Sequence, residues 1–299
     1  MTSGQQDYWD SVGADWQRRR PHRLWREFTD RQQIGLLTRW TRGLIGGGSR
    51  TDLLKTDLFD EVASQGIVPW LLASESRVTG IDVAPAIVAE AVARNPGLEA
   101  VVADVRSLPF AEASFDIVFS GSTLDHFESA ADIQTALGEL RRVLRPGGTL
   151  ILTLDNPANP LIWLRNGPLL RLLRRIGIVP YQVGATLGPR SLERAVQAAG
   201  LDVVETTAVM HCPRAIAVAL AGTLDRLSRS WQEAFLRHLH AWERLERWPT
   251  RWLTGHYVAI HAVAPRAGMA SSHPSIDSRT LSMNKAFGLS NPRPSGGVT

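Results

Sequence analysis

The sequence predicts an α/β fold built from βα repeats around a parallel sheet. Three observations carry this reading. Short apolar or β-branched runs alternate with helical spacers over residues 50–155. The last of these spacers has apolar residues on one face only, and two further strand-like runs follow a long helical stretch nearer the C-terminus. That rhythm is the one that makes parallel strands with crossover helices.

Residues 1–49 are rich in Trp and Arg and close on Gly46-Gly47-Gly48-Ser49, a flexible joint. Strands are predicted over residues 52–56, 77–81, 100–103, 115–120 and 149–154. Between the last two, Asp132 is expected to open a helix with Ile133, Leu137, Leu140 and Leu144 on one face. Pro146-Gly147-Gly148 would stop it and turn into the next strand. Farther on, Pro189 and Ser191 start a helix that presents Leu192, Ala195, Val196 and Ala199 and stops at Gly200. Strands over residues 201–209 and 257–264 flank a Trp-rich helical stretch around residues 230–248. From Arg266 the chain is Ser/Pro/Gly-rich without apolar periodicity, which predicts a disordered tail over residues 266–299.

Composition narrows the function. The chain has 299 residues, 44% of them hydrophobic and 21% charged, which fits a globular protein and excludes a disordered or collagen-like one. A single cysteine, Cys212, excludes an internal disulfide framework and a cysteine-based zinc cluster, and predicts a reduced, cytoplasmic protein. No window approaches the roughly 20 apolar residues of a membrane span. The 33 Lys and Arg exceed the 29 Asp and Glu by little and are interleaved with them, so nucleic acid is not an expected partner.

In open α/β sheets the ligand lies beyond the carboxyl ends of the strands. The residues there are Lys55-Thr56-Asp57, Asp82-Val83, Asp104-Val105 and Ser120-Gly121-Ser122. An acid after the second strand can accept both hydroxyls of a ribose, because a carboxylate offers acceptor oxygens at the spacing of a vicinal diol. Asp104 beside the apolar Val105 can take an adenine amino group while its neighbour packs on the ring. Together they imply an adenosine site.

At these residues the sequence resembles the class I S-adenosylmethionine-dependent methyltransferases. The resemblance rests on five segments in order: Val78-Thr79-Gly80-Ile81-Asp82, Val102-Ala103-Asp104-Val105, Leu108-Pro109-Phe110, Phe115-Asp116-Ile117-Val118 and Leu144-Arg145-Pro146-Gly147-Gly148-Thr149. It implies a Rossmann-like seven-stranded sheet, mostly parallel with a late antiparallel strand, and S-adenosyl-L-methionine as cofactor. Asp82 would lie on its ribose and Asp104 near its adenine. The implied organisation is an N-terminal helical lid over residues 1–49 and a methyltransferase domain over residues 50–265, with helical insertions at about 156–188 and 211–254.

The sequence departs from the family where the first strand ends. An acid and a Gly-x-Gly loop are usual there, since absent side chains let the methionine part of the cofactor approach the backbone. This chain has Lys55-Thr56-Asp57-Leu58-Phe59-Asp60-Glu61, with no glycine before Gly66. A compensating reading gives Lys55 the cofactor carboxylate and Thr56 and Asp57 its ammonium. The bland alternative makes Asp57 a helix cap and Lys55 a solvated cation. Leu58, Phe59 and Val62 have the spacing of a helix face packed on the sheet.

His126, in Ser122-Thr123-Leu124-Asp125-His126-Phe127, stands where the family often has a substrate-facing histidine, with Asp125 placed to orient its ring. It is the candidate general base; shielding the cofactor or capping a helix is the alternative. The Trp- and Arg-rich start (Tyr8, Trp9, Trp16, Trp25; Arg18, Arg19, Arg20, Arg23, Arg26) reads either as a lid or as an amphipathic helix packed on the domain. The Leu/Arg-rich stretch over residues 164–178 reads as a helix on the core, an anionic-membrane contact or a substrate-pocket wall. His211, Cys212, His238 and His240 show no metal-ligand spacing, and no metal site is expected. The expected function is methyl transfer to a small molecule, more readily at a hydroxyl than at an amine. The rivals are a catalytically inactive binding module of the same fold and an NAD-dependent oxidoreductase.

Overall fold

The computed structural model describes residues 22–48, 50–166 and 184–266. Its centre is a seven-stranded sheet of order β3-β2-β1-β4-β5-β7-β6. The strands are β1 (Asp52–Lys55), β2 (Arg77–Asp82), β3 (Glu99–Val102), β4 (Phe115–Gly121), β5 (Leu144–Asp155), β6 (Asp202–Val209) and β7 (Tyr257–Val263). The first five pair in parallel, while β7 runs antiparallel to both β5 and β6. All seven strands expected from the sequence are present.

Successive side chains of a strand point to opposite faces, and the sheet is covered on both. Leu54, Ile81, Val118 and Leu152 pack on one face against α5 (Ala130–Val143) and α7 (Pro189–Ala198). Leu53, Val78, Ile117 and Ile151 pack on the other against α1 (Arg23–Trp40), α2 (Phe59–Ala63), α3 (Val68–Ala73) and α4 (Pro85–Arg94). Uninterrupted apolar runs, Leu53-Leu54 in β1 and Ile117-Val118-Phe119 in β4, are what two covered faces demand.

Two boundaries differ from expectation. Ser129, not Asp132, caps α5: its hydroxyl accepts the Asp132 backbone N–H at 3.1 Å. The helix also ends a residue early, because Leu144 pairs with Phe115 and opens β5, so Pro146-Gly147-Gly148 lies within an irregular strand start. After β5 come α6 (Pro160–Asn166) and, before β7, α8 (Arg214–Leu224), α9 (Arg229–Ala241), a 3-10 turn over Trp242–Arg247 and α10 (Arg251–Thr254).

Of the Trp- and Arg-rich start, Tyr8, Trp9, Trp16 and Arg18 to Arg20 lie outside the described residues. The described part, α1, is a packed helix. Leu24, Trp25 and Phe28 are buried with Ala217 and Ala221 of α8 and Leu236 and Leu239 of α9. Arg26 and Gln33 both bond Asp60 of α2, at 2.8 and 2.9 Å. The tail over residues 267–299 and most of the 164–178 stretch also lie outside the described residues. Among the described residues no helix is long and apolar enough to cross a membrane.

Candidate active site

The carboxyl ends of β1, β2, β3 and β4 converge on one cavity. Thr56 and Asp57, Asp82 and Val83, and Asp104 and Val105 line it together, joined by Phe59, Arg106, Thr123, His126 and Phe127. Six of the expected cofactor residues are therefore neighbours in space. The other two, Lys55 and Ser120, lie behind the wall. Ser120 is fully buried and takes a hydrogen bond from the Thr56 hydroxyl at 2.9 Å, so it positions Thr56.

Asp82 ends β2 and is held by the backbone. One carboxylate oxygen accepts the Ala84 N–H at 2.9 Å and the other the Leu58 N–H at 3.1 Å. The Val83 N–H also bonds this carboxylate, and since a carboxylate has about four lone-pair positions, one remains for a ligand hydroxyl. Burial raises the Asp82 pKa, opposed by these N–H donors and by Lys55. Glycine at position 80 is what lets the β1 loop come this close, since a Cβ there would stand 2.6 Å from a methyl of Leu58.

The β1 loop works without glycine because charged side chains organise it. Lys55 is buried, and its ammonium donates to Glu61 Oε2 at 2.9 Å and to the Asp57 carbonyl. Glu61 in turn accepts the Ile67 N–H at 3.2 Å. The lysine is therefore neither a solvated cation nor exposed to the cavity, and the expectation that it meets a cofactor carboxylate is replaced by a structural role. Asp57 precedes Leu58, the N-cap of α2, and closes a turn at the helix start by accepting the Phe59 N–H at 3.0 Å through Oδ1. Its carboxyl also lines the cavity, and its pKa is raised well above the ordinary range by burial and by the facing Asp82. A carboxyl so placed gains most from a cationic ligand.

Asp104 is engaged by a residue that sequence reasoning missed. Arg106 grips both of its oxygens, at 2.6 to 3.1 Å, and reaches Asp132 at 2.8 Å. Its guanidinium lies 4.8 Å over the Phe127 ring. This clasp crosses one side of the cavity, whose volume is about 70 Å³, well below the ~300 Å³ of small-molecule sites. The signal was an arginine two residues after a strand-end acid, a spacing that lets one side chain fold back on the other.

His126 closes a 3-10 turn, Leu124–His126, that follows β4. Asp125 beside it is buried, with Oδ2 accepting the Ser122 hydroxyl at 2.7 Å and the Asp155 N–H at 3.1 Å. Its Oδ1 has no hydrogen-bond partner among the described residues and lies 3.8 Å from His126 Nε2, just outside bonding distance. Ser122 turns the chain here in the left-handed region (φ 54°), held by two bonds of its N–H to Thr153. Gly184 and Ala185 strap the turn from outside, donating to the carbonyls of Asp125 and Phe127 at 2.9 and 2.6 Å. A Cβ on Gly184 would collide with the Phe127 carbonyl.

The remaining candidates serve packing. His211 bonds Thr254 and the Ala208 carbonyl at 2.8 and 2.9 Å. Cys212 is buried, and burial pushes its thiol up to about 12, which makes it a poor nucleophile.

Comparison with known proteins agrees with this geometry. A family model described as a methyltransferase domain matches residues 63–152. A malonyl-[acyl-carrier protein] O-methyltransferase of Enterobacter lignolyticus is 38% identical over 76 residues, 25% of this chain and 29% of that protein. An uncharacterized protein in a Streptomyces fradiae transposon is 32% identical over 184 residues, 53% of this chain and 49% of that protein. The chain thus spans about half or less of the length of these curated relatives. Among solved structures, an S-adenosylmethionine-dependent methyltransferase from Mesorhizobium loti shares the fold at a TM-score of 0.50 and 17% identity, over 76% of this chain and 97% of that one. The sheet and its βα units have the fold of the class I S-adenosylmethionine-dependent methyltransferases, and the methyltransferase-domain match runs from before β2 into β5. The residues present suit that cofactor: Asp82 keeps an acceptor position for a ribose hydroxyl, and Asp57 is a buried carboxyl facing the same cavity.

Proposed function

We propose that this protein transfers a methyl group from S-adenosyl-L-methionine to a hydroxyl of a small-molecule acceptor, with His126 as the general base. One observation carries the reading: two strand-end acids with spare acceptor capacity, Asp82 and Asp57, share a cavity with a histidine backed by a buried carboxylate. Bound there, the cofactor supplies a methyl group on a positively charged sulfur. Asp82 would hold a ribose hydroxyl. Asp57, with Thr56 beside it, would hold the ammonium, and Val83 and Val105 would flank the adenine. Asp104 would take the adenine amino group once Arg106 releases it.

In-line displacement at a methyl group requires chiefly alignment, and at a hydroxyl it also requires removal of a proton. His126 lies at the cavity wall between the cofactor residues and the segment that follows β5. A shift of roughly 0.6 Å or more from the present 3.8 Å would bring its ring into a hydrogen bond with Asp125, which would stabilise the protonated imidazole. The O-methyltransferase among the relatives supports an oxygen acceptor. The helices after β5 and between β6 and β7 would enclose a small molecule rather than a nucleic acid.

The test has two stages. Calorimetry with S-adenosylmethionine, S-adenosylhomocysteine and NAD separates a methyltransferase from an oxidoreductase. Transfer of labelled methyl to a panel of hydroxyl and amine acceptors then separates an enzyme from an inactive module. With the acceptor in hand, His126→Ala is expected to lower kcat by about 10²–10⁴-fold while cofactor affinity is unchanged. Full turnover by that variant removes the base role.

A further inference from the structure

Away from the cavity, α6 and α10 carry exposed apolar side chains beside a segregated charge pattern. On α6, Ile162 is buried at 2% exposure, while Leu161 and Trp163 are 71% and 61% exposed. The start of α6 is fastened to α10: Asn159 donates to the carbonyls of Thr254 and Gly255 at 3.2 and 3.1 Å, and Asn156 to that of Trp252 at 2.8 Å. Leu253 of α10 and Trp248, which ends the preceding 3-10 turn, are also exposed, at 55% and 59%. Two elements distant in sequence thus present exposed tryptophan and leucine along one edge.

The charges around this edge are sorted. In the turn over Trp242–Arg247 both acids face inward. Glu243 accepts the N–H groups of Met210 and His211 at 3.0 and 3.1 Å, and Glu246 accepts from Arg39 and Thr207 at 2.6 and 2.8 Å. Arg244 and Arg247 of the same turn face solvent. The outward side is therefore cationic and aromatic although the turn itself contains two acids. Tryptophan and leucine with outward arginines make a surface that sits at the boundary of an anionic bilayer: the apolar side chains enter the acyl edge and the guanidinium groups meet the headgroups.

We propose that the α6–α10 edge docks this protein on an anionic phospholipid surface. The proposal does not depend on the reaction catalysed.

Flotation of the full chain with vesicles tests it. Binding is expected to vesicles containing phosphatidylglycerol, to be much weaker to pure phosphatidylcholine, and to fall with added salt. The triple variant Leu161→Glu, Trp163→Glu, Trp248→Glu should lose affinity by about tenfold or more. Arg244→Gln with Arg247→Gln should remove most of the salt dependence. All of these side chains are exposed and outside the cavity, so unchanged S-adenosylmethionine binding reports that the variants are folded. Equal binding by the triple variant, equal binding to both vesicle types, or a self-association lost in the triple variant without any vesicle binding would overturn the proposal.

Discussion

The two ends of the cavity are built by different means. At the proposed nucleoside end, backbone N–H groups of Leu58 and Ala84 fix Asp82 directly, and the strand tip resembles that of the family. At the other end, where a glycine loop usually exposes the backbone, the buried Lys55–Glu61 pair holds the chain and the Asp57 side chain reaches into the cavity. The contrast teaches that a cradle can be made of bare backbone, which approaches the ligand closely, or of a charged scaffold, which fixes the loop from behind and offers the ligand a carboxylate. The second solution is more exposed to mutation, because a buried ion pair fails when one partner is removed.

Lys55→Met is the strongest way to break the difference between the two ends. It leaves Glu61 buried without its cation, and a loss of about 3–5 kcal/mol in chemical denaturation is expected. Lys55→Met with Glu61→Gln should recover a large part of it. If the single substitution is harmless, the charged scaffold does not hold the loop.

Next in size are the two acids. Asp82→Ala should weaken S-adenosylmethionine binding about a hundredfold in calorimetry, since it removes the proposed ribose contact and leaves the Leu58 and Ala84 N–H groups without acceptors. Asp57→Asn should weaken it about tenfold. The pH dependence separates these roles. Because the Asp57 carboxyl titrates well above its ordinary range, its anionic form is incomplete at acid pH. Affinity for the cofactor ammonium should therefore rise with pH through that raised value, and Asp57→Asn should flatten the profile. The same raised pKa means that the folded state binds more protons than the unfolded one there, so stability should fall as pH rises through this range.

The smallest effect sharpens the comparison at the nucleoside end. Arg106→Ala frees Asp104 and widens the cavity, so cofactor affinity should rise severalfold, roughly 1 kcal/mol. The cost in stability should be small for partly exposed pairs such as Arg106 with Asp104 and Asp132. Unchanged affinity would mean that the clasp opens freely.

How much was legible follows the range of the forces. Strand positions were readable because two covered faces require uninterrupted apolar runs, as Leu53-Leu54 and Ile117-Val118-Phe119 show. That Asp82 and Asp104 share a cavity was readable because both follow strand ends on one edge of the sheet. Lys55 was misread because its partner Glu61 lies six residues on, across a loop whose path no local pattern fixes. Leu144 was placed on a helix because its spacing fits one, whereas pairing with Phe115 draws it into β5.

By itself the sequence determined the order of elements, the parallel sheet and the carboxylates at two strand tips, since periodicity and strand ends are local properties of a chain. Only the tertiary structure decided that Lys55 turns inward to Glu61, that Arg106 closes on Asp104, and that α6 and α10 share an edge. Each of those depends on which side chains meet once the backbone has closed, and the energy of a charge is set by the partners and the water left around it.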